Sequence, residues 1–558
     1  MSAQIHVDCE KKLGPYPHSW TYIGYDECNY TYIPEGLALL KKFAELGDGP
    51  YYFRTHFMFC TGNCHGTYKF GSTNLYSENR AGEPVYNFTW YDKVIDAYRA
   101  FGHKPFIEFG FMPRDLVDQS FLIPQGNVWD DFNQYKEKGW ACPPKDFDRW
   151  HDLIVRLMEH LVERYGADEV STWLFELWNE PNLTYWRGTM AQYCKLFDYT
   201  EHAVHSVLPA ARLSGPAVTE LFEEGTARQF FEKFLQHCKS GVNYYTGHSG
   251  TQLDFVTFHV KGGAFPFDLD PEKDAPSVKR LTYQVKLGLE CIKNAGFAGK
   301  DVILSEADPD GWAAGGIYDN RNMNFRNTEY YASYVASAYD KIQRLAQQYQ
   351  CSVSPLAWAF LFPGERCFEG TRTFVTQGID KPILNLFKMY GKLGYDQLAF
   401  TSDSARQIVP PKEPLEPQEK IDPPETPADI GGFATRGPHG ETQILIYSHH
   451  DDPDGNRQTP VELCVQGYHD QTGLQVRHYR IDQSHSNAYT EWLQAGKPLY
   501  PQESDYAQIK RRDDLELLEP CTVLDSADNQ LVLHFSMPEH AVSLIEISPC
   551  QQAPSGIS

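Results

Sequence analysis

Eight short apolar runs, each followed by residues of helical periodicity, fill roughly the first 400 of 558 residues. They span 20–25, 51–57, 104–110, 173–178, 212–215, 255–259, 301–305 and 355–361. The helical spacing is plainest in 328–349, where Tyr331, Tyr334, Val335, Ala338, Ile342 and Leu345 recur on one face. Eight strands with a helix after each make an α/β protein with a (β/α)8 TIM barrel the expected fold, over residues 15–400. A doubly wound sheet competes. It would carry a glycine-rich phosphate loop after an early strand, and none is present.

The pattern changes after the eighth run. Residues 409–430 hold Pro-Pro pairs at 410–411 and 423–424 among Glu and Lys, the composition of a stiff, solvated linker. Beyond it, 442–447, 461–465, 531–535 and 542–547 alternate with period two, and Asp454-Gly455 is a hairpin-turn signal. An accessory antiparallel β-sandwich domain is expected over 431–550, with residues 1–14, around Ile5 and Val7, contributing to it.

Two of the barrel runs end in chemistry. Trp173-Leu174-Phe175-Glu176-Leu177 closes on Trp178-Asn179-Glu180-Pro181-Asn182, so a glutamate stands at a strand's C-terminal end beside an amide. The run Asp301-Val302-Ile303-Leu304-Ser305 delivers Glu306 in the same way. Cleaving a glycosidic bond requires one carboxylic acid to protonate the leaving oxygen and one carboxylate to capture the oxocarbenium-like centre. Glu180 is assigned the acid/base role, with a pKa raised for the task, and Glu306 the nucleophile. Asn179 would bond the hydroxyl next to the anomeric carbon. A capped strand end over a buried Trp is the bland alternative for the pentapeptide.

Composition narrows the partners. Aromatic residues make up 14% of the chain, which suits sugar stacking and equally suits a large core. A net charge of −24 argues against nucleic acid and anionic membrane as partners, and makes a polyanionic substrate less favourable unless a local basic pocket overcomes it. No signal-peptide pattern, no run of 18 apolar residues and 13 irregularly spaced cysteines point to a cytoplasmic protein with reduced thiols. Cys60-Thr61-Gly62-Asn63-Cys64-His65 lacks the second ligand pair a zinc site needs, so no metal and no cofactor are expected.

The chain resembles a known family. Trp178-Asn179-Glu180-Pro181-Asn182 is similar to the acid/base motif of the clan A glycoside hydrolases. Phe53-Arg54-Thr55-His56, Lys69-Phe70-Gly71-Ser72-Thr73-Asn74 and Pro105-Phe106-Ile107-Glu108-Phe109-Gly110-Phe111-Met112-Pro113 resemble segments of glycoside hydrolase family 39, as do 478–482 and 485–489. That family includes β-xylosidases and α-L-iduronidases. The resemblance implies a barrel with a β-sandwich and a retaining mechanism without a metal, and it hints at a homo-oligomer. It implies that His56 and His259 bond sugar hydroxyls, that Phe111 and Trp358 form apolar walls, and that Glu369, or else Glu365, grips the terminal sugar.

Two departures fall at the first sugar subsite. The aromatic that often follows the family nucleophile is replaced by Ala307-Asp308-Pro309-Asp310-Gly311-Trp312, and the tyrosine that often stands two residues past the histidine is Lys261. Asp308 and Trp312 thereby become candidate contacts, Asp308 with loop capping as its equal alternative. The resemblance implies exo-acting release of a terminal pentose, a β-D-xyloside or α-L-arabinofuranoside, from plant-derived oligosaccharides. A catalytically inactive sugar-binding barrel, a glycosidase for another sugar and a metal-dependent barrel hydrolase are the competing readings.

Overall fold

The computed structural model describes residues 2–67, 69–122, 136–263, 276–311, 315–407, 425–469 and 471–549, with side chains of 136–138 excepted. Residues 409–424 of the expected linker, and Trp312, lie outside the described residues.

The barrel strands are Tyr22–Tyr25, Tyr52–Thr55, Lys104–Phe109, Leu174–Leu177, the pair Arg212–Ser214 and Pro216–Val218, Val256–Lys261, Val302–Asp308, and the pair Val353–Pro355 and Ala357–Trp358. Each pairs in parallel with the next. Ala357–Trp358 returns to pair with Tyr22–Tyr25, which closes the ring. Strand five breaks where Pro216 has no N–H to donate to a ladder. The barrel and the β domain are the fold class expected from the sequence.

The boundaries differ in an informative way. Strand six runs two residues past the expected His259, to Lys261, and strand seven runs through Glu306 to Asp308. The register slips between Phe258 and His259, because Ser305 is an extra residue opposite strand six. His259 therefore faces Glu306, and Lys261 faces Asp308. Alternation then puts His259 with Lys261, and Glu306 with Asp308, on one side of the sheet.

A helix lies on the outside after each strand. The longest, Glu329–Tyr349, starts at Thr328, whose hydroxyl accepts from Tyr330 N at 3.3 Å. It is buried nearly all round because it sits between the barrel and the second domain. There Ser337 Oγ donates to Asp429 at 3.1 Å and Tyr447 OH donates to Asp340 at 2.9 Å.

The second domain is one ten-stranded sheet. Leu531 and Met537 near one end share a core with Leu474 and Val476 near the other, so the sheet is folded on itself as a sandwich. Two of its strands precede residue 431, and one of them, Ala3–Pro15, is the N-terminal contribution expected from residues 1–14. The other, Asp396–Ser402, begins inside the stretch assigned to the barrel and ends two residues past it, and Ala3–Pro15 pairs antiparallel with it. Ala3–Pro15 also pairs in parallel with Gln458–Gln466, the one parallel ladder in this sheet among the described residues. No helix among the described residues is long and apolar enough to cross a membrane.

Candidate active site

Glu180 and Glu306 meet at the C-terminal mouth of the barrel, the end at which strand-borne functional groups converge in this fold. One carboxylate oxygen from each, and a ring nitrogen of His259, all lie within 4.8 Å of one another. His259 Nδ1 is 2.9 Å from Glu180 Oε1 and 3.7 Å from Glu306 Oε1. Glu306 is also held by Lys261, whose Nζ donates to its Oε2 at 2.5 Å and to Asp308 Oδ2 at 2.7 Å. His56 Nε2 and Arg54 Nη1 stand 3.5 and 3.6 Å from Glu306 Oε1.

These contacts decide the charge on Glu306. Burial pushes its pKa up, but Lys261, His259 and His56 outweigh burial and hold the carboxyl well below the usual range. Burial pushes His56 down, and its 2.6 Å contact with Glu108 more than reverses this, raising it to about 9. Asp308 is likewise held low against its burial by Lys261, Arg372 and Arg326. The nucleophile candidate is an anion among fixed cations, as a group that must stay ionised requires.

The loop that carries Glu180 is held at several points. Trp178 N donates to Phe109 O at 3.2 Å, and Glu180 N donates to Ala217 O at 3.0 Å. Asn182 acts as a side-chain strand partner: its Nδ2 donates to Thr219 O at 3.1 Å and its Oδ1 accepts from Thr219 N at 3.0 Å. Both Trp178 and Glu180 have positive φ, 69° and 45°, which costs energy for residues with a Cβ and is tolerated where the surroundings over-determine it. Asn179 Oδ1 accepts from Arg54 Nη2 at 2.9 Å, so Arg54 fixes the amide and leaves its NH2 as the donor it does not engage.

Beneath this layer lies a buried ion cluster. Arg54 donates through Nε to Glu176 at 2.6 Å and sits 3.0 Å from Glu108, with all three side chains fully buried. Such a charge is sustained only by its partners. One carboxylate from strand three and one from strand four thus fix an arginine from strand two, which positions Asn179 and approaches Glu306. The signal in the sequence was a single charge inside each of three apolar runs, since a buried charge demands a partner.

The remaining candidates fall in two groups. Phe111 packs on His56, Phe57, Trp140, Trp178 and Tyr185, and Trp358 lies beside His56 with Arg54 and Arg372 over its ring. Trp358 Nε1 donates to Asp26 Oδ2 at 3.2 Å. Asp26, Arg372 and Tyr185 were not singled out in the sequence, because nothing in their local context separates them from ordinary loop residues. Glu365 and Glu369 are engaged within their own loop. Glu365 accepts from Gly370 N at 2.9 Å, and Glu369 accepts from Arg366 N at 2.7 Å.

Glu180, His259 and Glu306 have the spacing of a three-ligand cation site, the one such group among the described residues. Lys261, Arg54 and His56 already supply positive charge to Glu306, so a divalent ion there would meet repulsion.

Comparison with known proteins adds the wider context. The family model described as "Glycosyl hydrolases family 39" matches residues 3–517. A β-xylosidase of Geobacillus stearothermophilus is 26% identical over 487 residues, covering 83% of this chain and 81% of that protein. The α-L-iduronidase of Homo sapiens is 24% identical over 468 residues, covering 79% and 66%. Among solved structures, a monomeric β-xylosidase from Caulobacter crescentus CB15 superposes with a TM-score of 0.73 at 23% identity, covering 98% of this chain and 99% of that one. A bacterial orthologue of human α-L-iduronidase gives 0.74 at 20% identity, covering 99% and 84%.

Proposed function

The chain belongs to glycosyl hydrolases family 39 and is a glycoside hydrolase, and from this we propose a retaining, exo-acting enzyme with Glu306 as nucleophile and Glu180 as acid/base. The observation that carries the proposal is that one oxygen of each carboxylate lies within 4.8 Å of the other. Carboxyl groups about 5–5.5 Å apart suit double displacement, whereas an inverting enzyme needs about 6.5–9.5 Å to admit a water.

In the first step Glu306 attacks the anomeric carbon, the bond to the leaving oxygen breaks, and the proton of Glu180 passes to that oxygen. In the second, Glu180 takes a proton from water, the water oxygen attacks the same carbon, and Glu306 leaves. Lys261 serves both steps, since it keeps the attacking carboxylate ionised and makes it a better leaving group. His56, His259, Asn179, Asp308, Phe111 and Trp358 surround the terminal sugar in this reading. Glu365 and Glu369, on the loop after strand eight, are assigned to the same pocket in this reading, although both bond within their own loop.

The sugar proposed first is a pentose, a β-D-xyloside or α-L-arabinofuranoside of plant origin. The β-xylosidase relatives support it. A second reading, a uronide, is favoured by Lys261 and by Arg372, which stands 3.7 Å from Asp308 Oδ2. These cations, paired here with Glu306 and Asp308, are the groups that a carboxylate-bearing sugar would engage, and the iduronidase relatives agree with that reading. A cytoplasmic setting is supported by the described cysteines, all free thiols.

Aryl β-D-xyloside, α-L-arabinofuranoside and α-L-iduronide assayed side by side separate these readings. Turnover of one of them is expected, and turnover of none favours an inactive binder. Glu306→Gly should lose at least about a thousandfold in kcat, and azide should restore part of it with an inverted product. A variant that keeps near-normal rates removes Glu306 from the role.

A further inference from the structure

We propose that Tyr318 and Tyr500 form a second carbohydrate-binding platform, on the rim of the barrel mouth, for the leaving-group side of the saccharide chain. The inference rests on the glycosidase reading of the site and extends it to the part of the substrate that departs.

Tyr318 and Tyr500 are 52% and 63% exposed. They lie on the loops that follow barrel strand seven and on a segment of the second domain. The Arg366 guanidinium stacks on the Tyr318 ring, 3.8 Å from its centroid, so one ring face is backed and the ring is oriented. Tyr500 follows Leu499, whose O accepts from the N–H of Cys367, the residue after Arg366, at 2.8 Å. Arg366 is itself fixed by Glu369, to which its Nη2 donates at 2.5 Å. Leu499, the preceding residue, is 39% exposed and adds apolar surface beside Tyr500.

The platform is rigidly mounted. Ile317 N donates to Glu369 O at 2.9 Å, and Thr371 N donates to Gly315 O at 3.1 Å, which zips the two barrel loops together. Lys381 Nζ donates to Gly370 O at 2.6 Å and to Thr373 Oγ1 at 2.7 Å from below. On the other side, Cys367 N and Gln377 Nε2 both donate to Leu499 O, at 2.8 and 3.1 Å. Trp492 Nε1 donates to Pro498 O at 2.9 Å, and Trp492 packs with Cys367, Phe368 and Tyr489 in a shared buried cluster. The second domain is thereby clamped to the barrel rim, with Tyr500 held next to Arg366.

The chemistry selects the occupant. A preoriented aromatic face flanked by a guanidinium and a carboxylate supplies what a pyranose or furanose ring needs, a stacking surface for C–H groups and charged partners for hydroxyls. Continuity with the site selects it too. The loop of Arg366 and Glu369 runs three residues on to Arg372, which contacts Asp308 beside Glu306. In an exo enzyme the terminal sugar fills the pocket, so the rest of the chain must leave across this rim.

The test compares two substrates ending in whichever sugar the wild type cleaves: its aryl glycoside and the matching tetrasaccharide. For Tyr318→Ala and Tyr500→Ala, the ratio of kcat/KM on tetrasaccharide to kcat/KM on aryl glycoside should fall about tenfold, chiefly through KM. Phe at either position should restore most of it. A ratio unchanged in both Ala variants overturns the platform while leaving the glycosidase reading intact. A wild type that cleaves neither substrate type overturns that reading instead. If sedimentation shows the wild type dimeric and Tyr500→Ala monomeric, with the ratio unchanged, this face is a contact between copies and the proposal is wrong.

Discussion

Ser305 is the extra residue that turns Glu306 towards His259 and Asp308 towards Lys261. Without that slip the lysine would not reach both carboxylates. Lys261 contributes most among the cations that hold Glu306 ionised against burial. Its removal leaves burial less opposed, so the pKa of Glu306 rises in Lys261→Met. The acid limb of the kcat/KM–pH profile should then move to higher pH, because the nucleophile must lose its proton to act. An acid limb that stays in place would mean that Lys261 does not govern this group. At this scale the two glutamates were legible as candidates because each interrupts an apolar run at its end. Lys261 could be read only as a departure from a pattern, since its partners lie on the next strand, in a register set by one inserted residue.

Among the elements, the loop after strand four carries the proposed acid, and strand five holds it in place. Asn182 replaces a missing backbone ladder with its amide. Asn182→Ala should lower kcat by about tenfold or more through misplacement of Glu180, with thermal stability little changed. Kinetics on a substrate with a poor leaving group reads this most sharply, because such a substrate needs the proton. A kcat equal to wild type would show that Glu180 N bonded to Ala217 O suffices to hold the loop. The strands themselves were legible from their apolar runs, but their ends were not. Strand seven continues through Glu306-Ala307-Asp308, charges that only the neighbouring lysine and arginines make tolerable inside a sheet. The cluster of Arg54, Glu108 and Glu176 was similarly visible as three odd charges, and invisible as one cluster until strands two, three and four were adjacent.

Taken as a molecule, the protein combines a net charge of −24 with a mouth where Arg54, His56, Lys261 and Arg372 gather around acidic partners. Global charge therefore says little about the sugar that this mouth accepts. The two domains are not separable at the linker, because Ala3–Pro15 lies inside the second sheet between Asp396–Ser402 and Gln458–Gln466. Deleting residues 2–15 exposes two strand edges at once. The deleted protein should accumulate as insoluble or aggregated material, read by sedimentation. A soluble monomer with normal activity would contradict this. Sequence periodicity located the two architectures and the contribution of residues around Ile5 and Val7 to the last domain, but not the partner strand Asp396–Ser402, which depends on pairing across more than 380 residues. Glu306 is the group proposed to bond to the sugar. A 2-deoxy-2-fluoro glycosyl fluoride of the cleaved sugar should leave a covalent adduct, and mass mapping of the digested protein should place it on Glu306. An adduct on another residue, or steady turnover to a product of inverted configuration with no adduct, would contradict it.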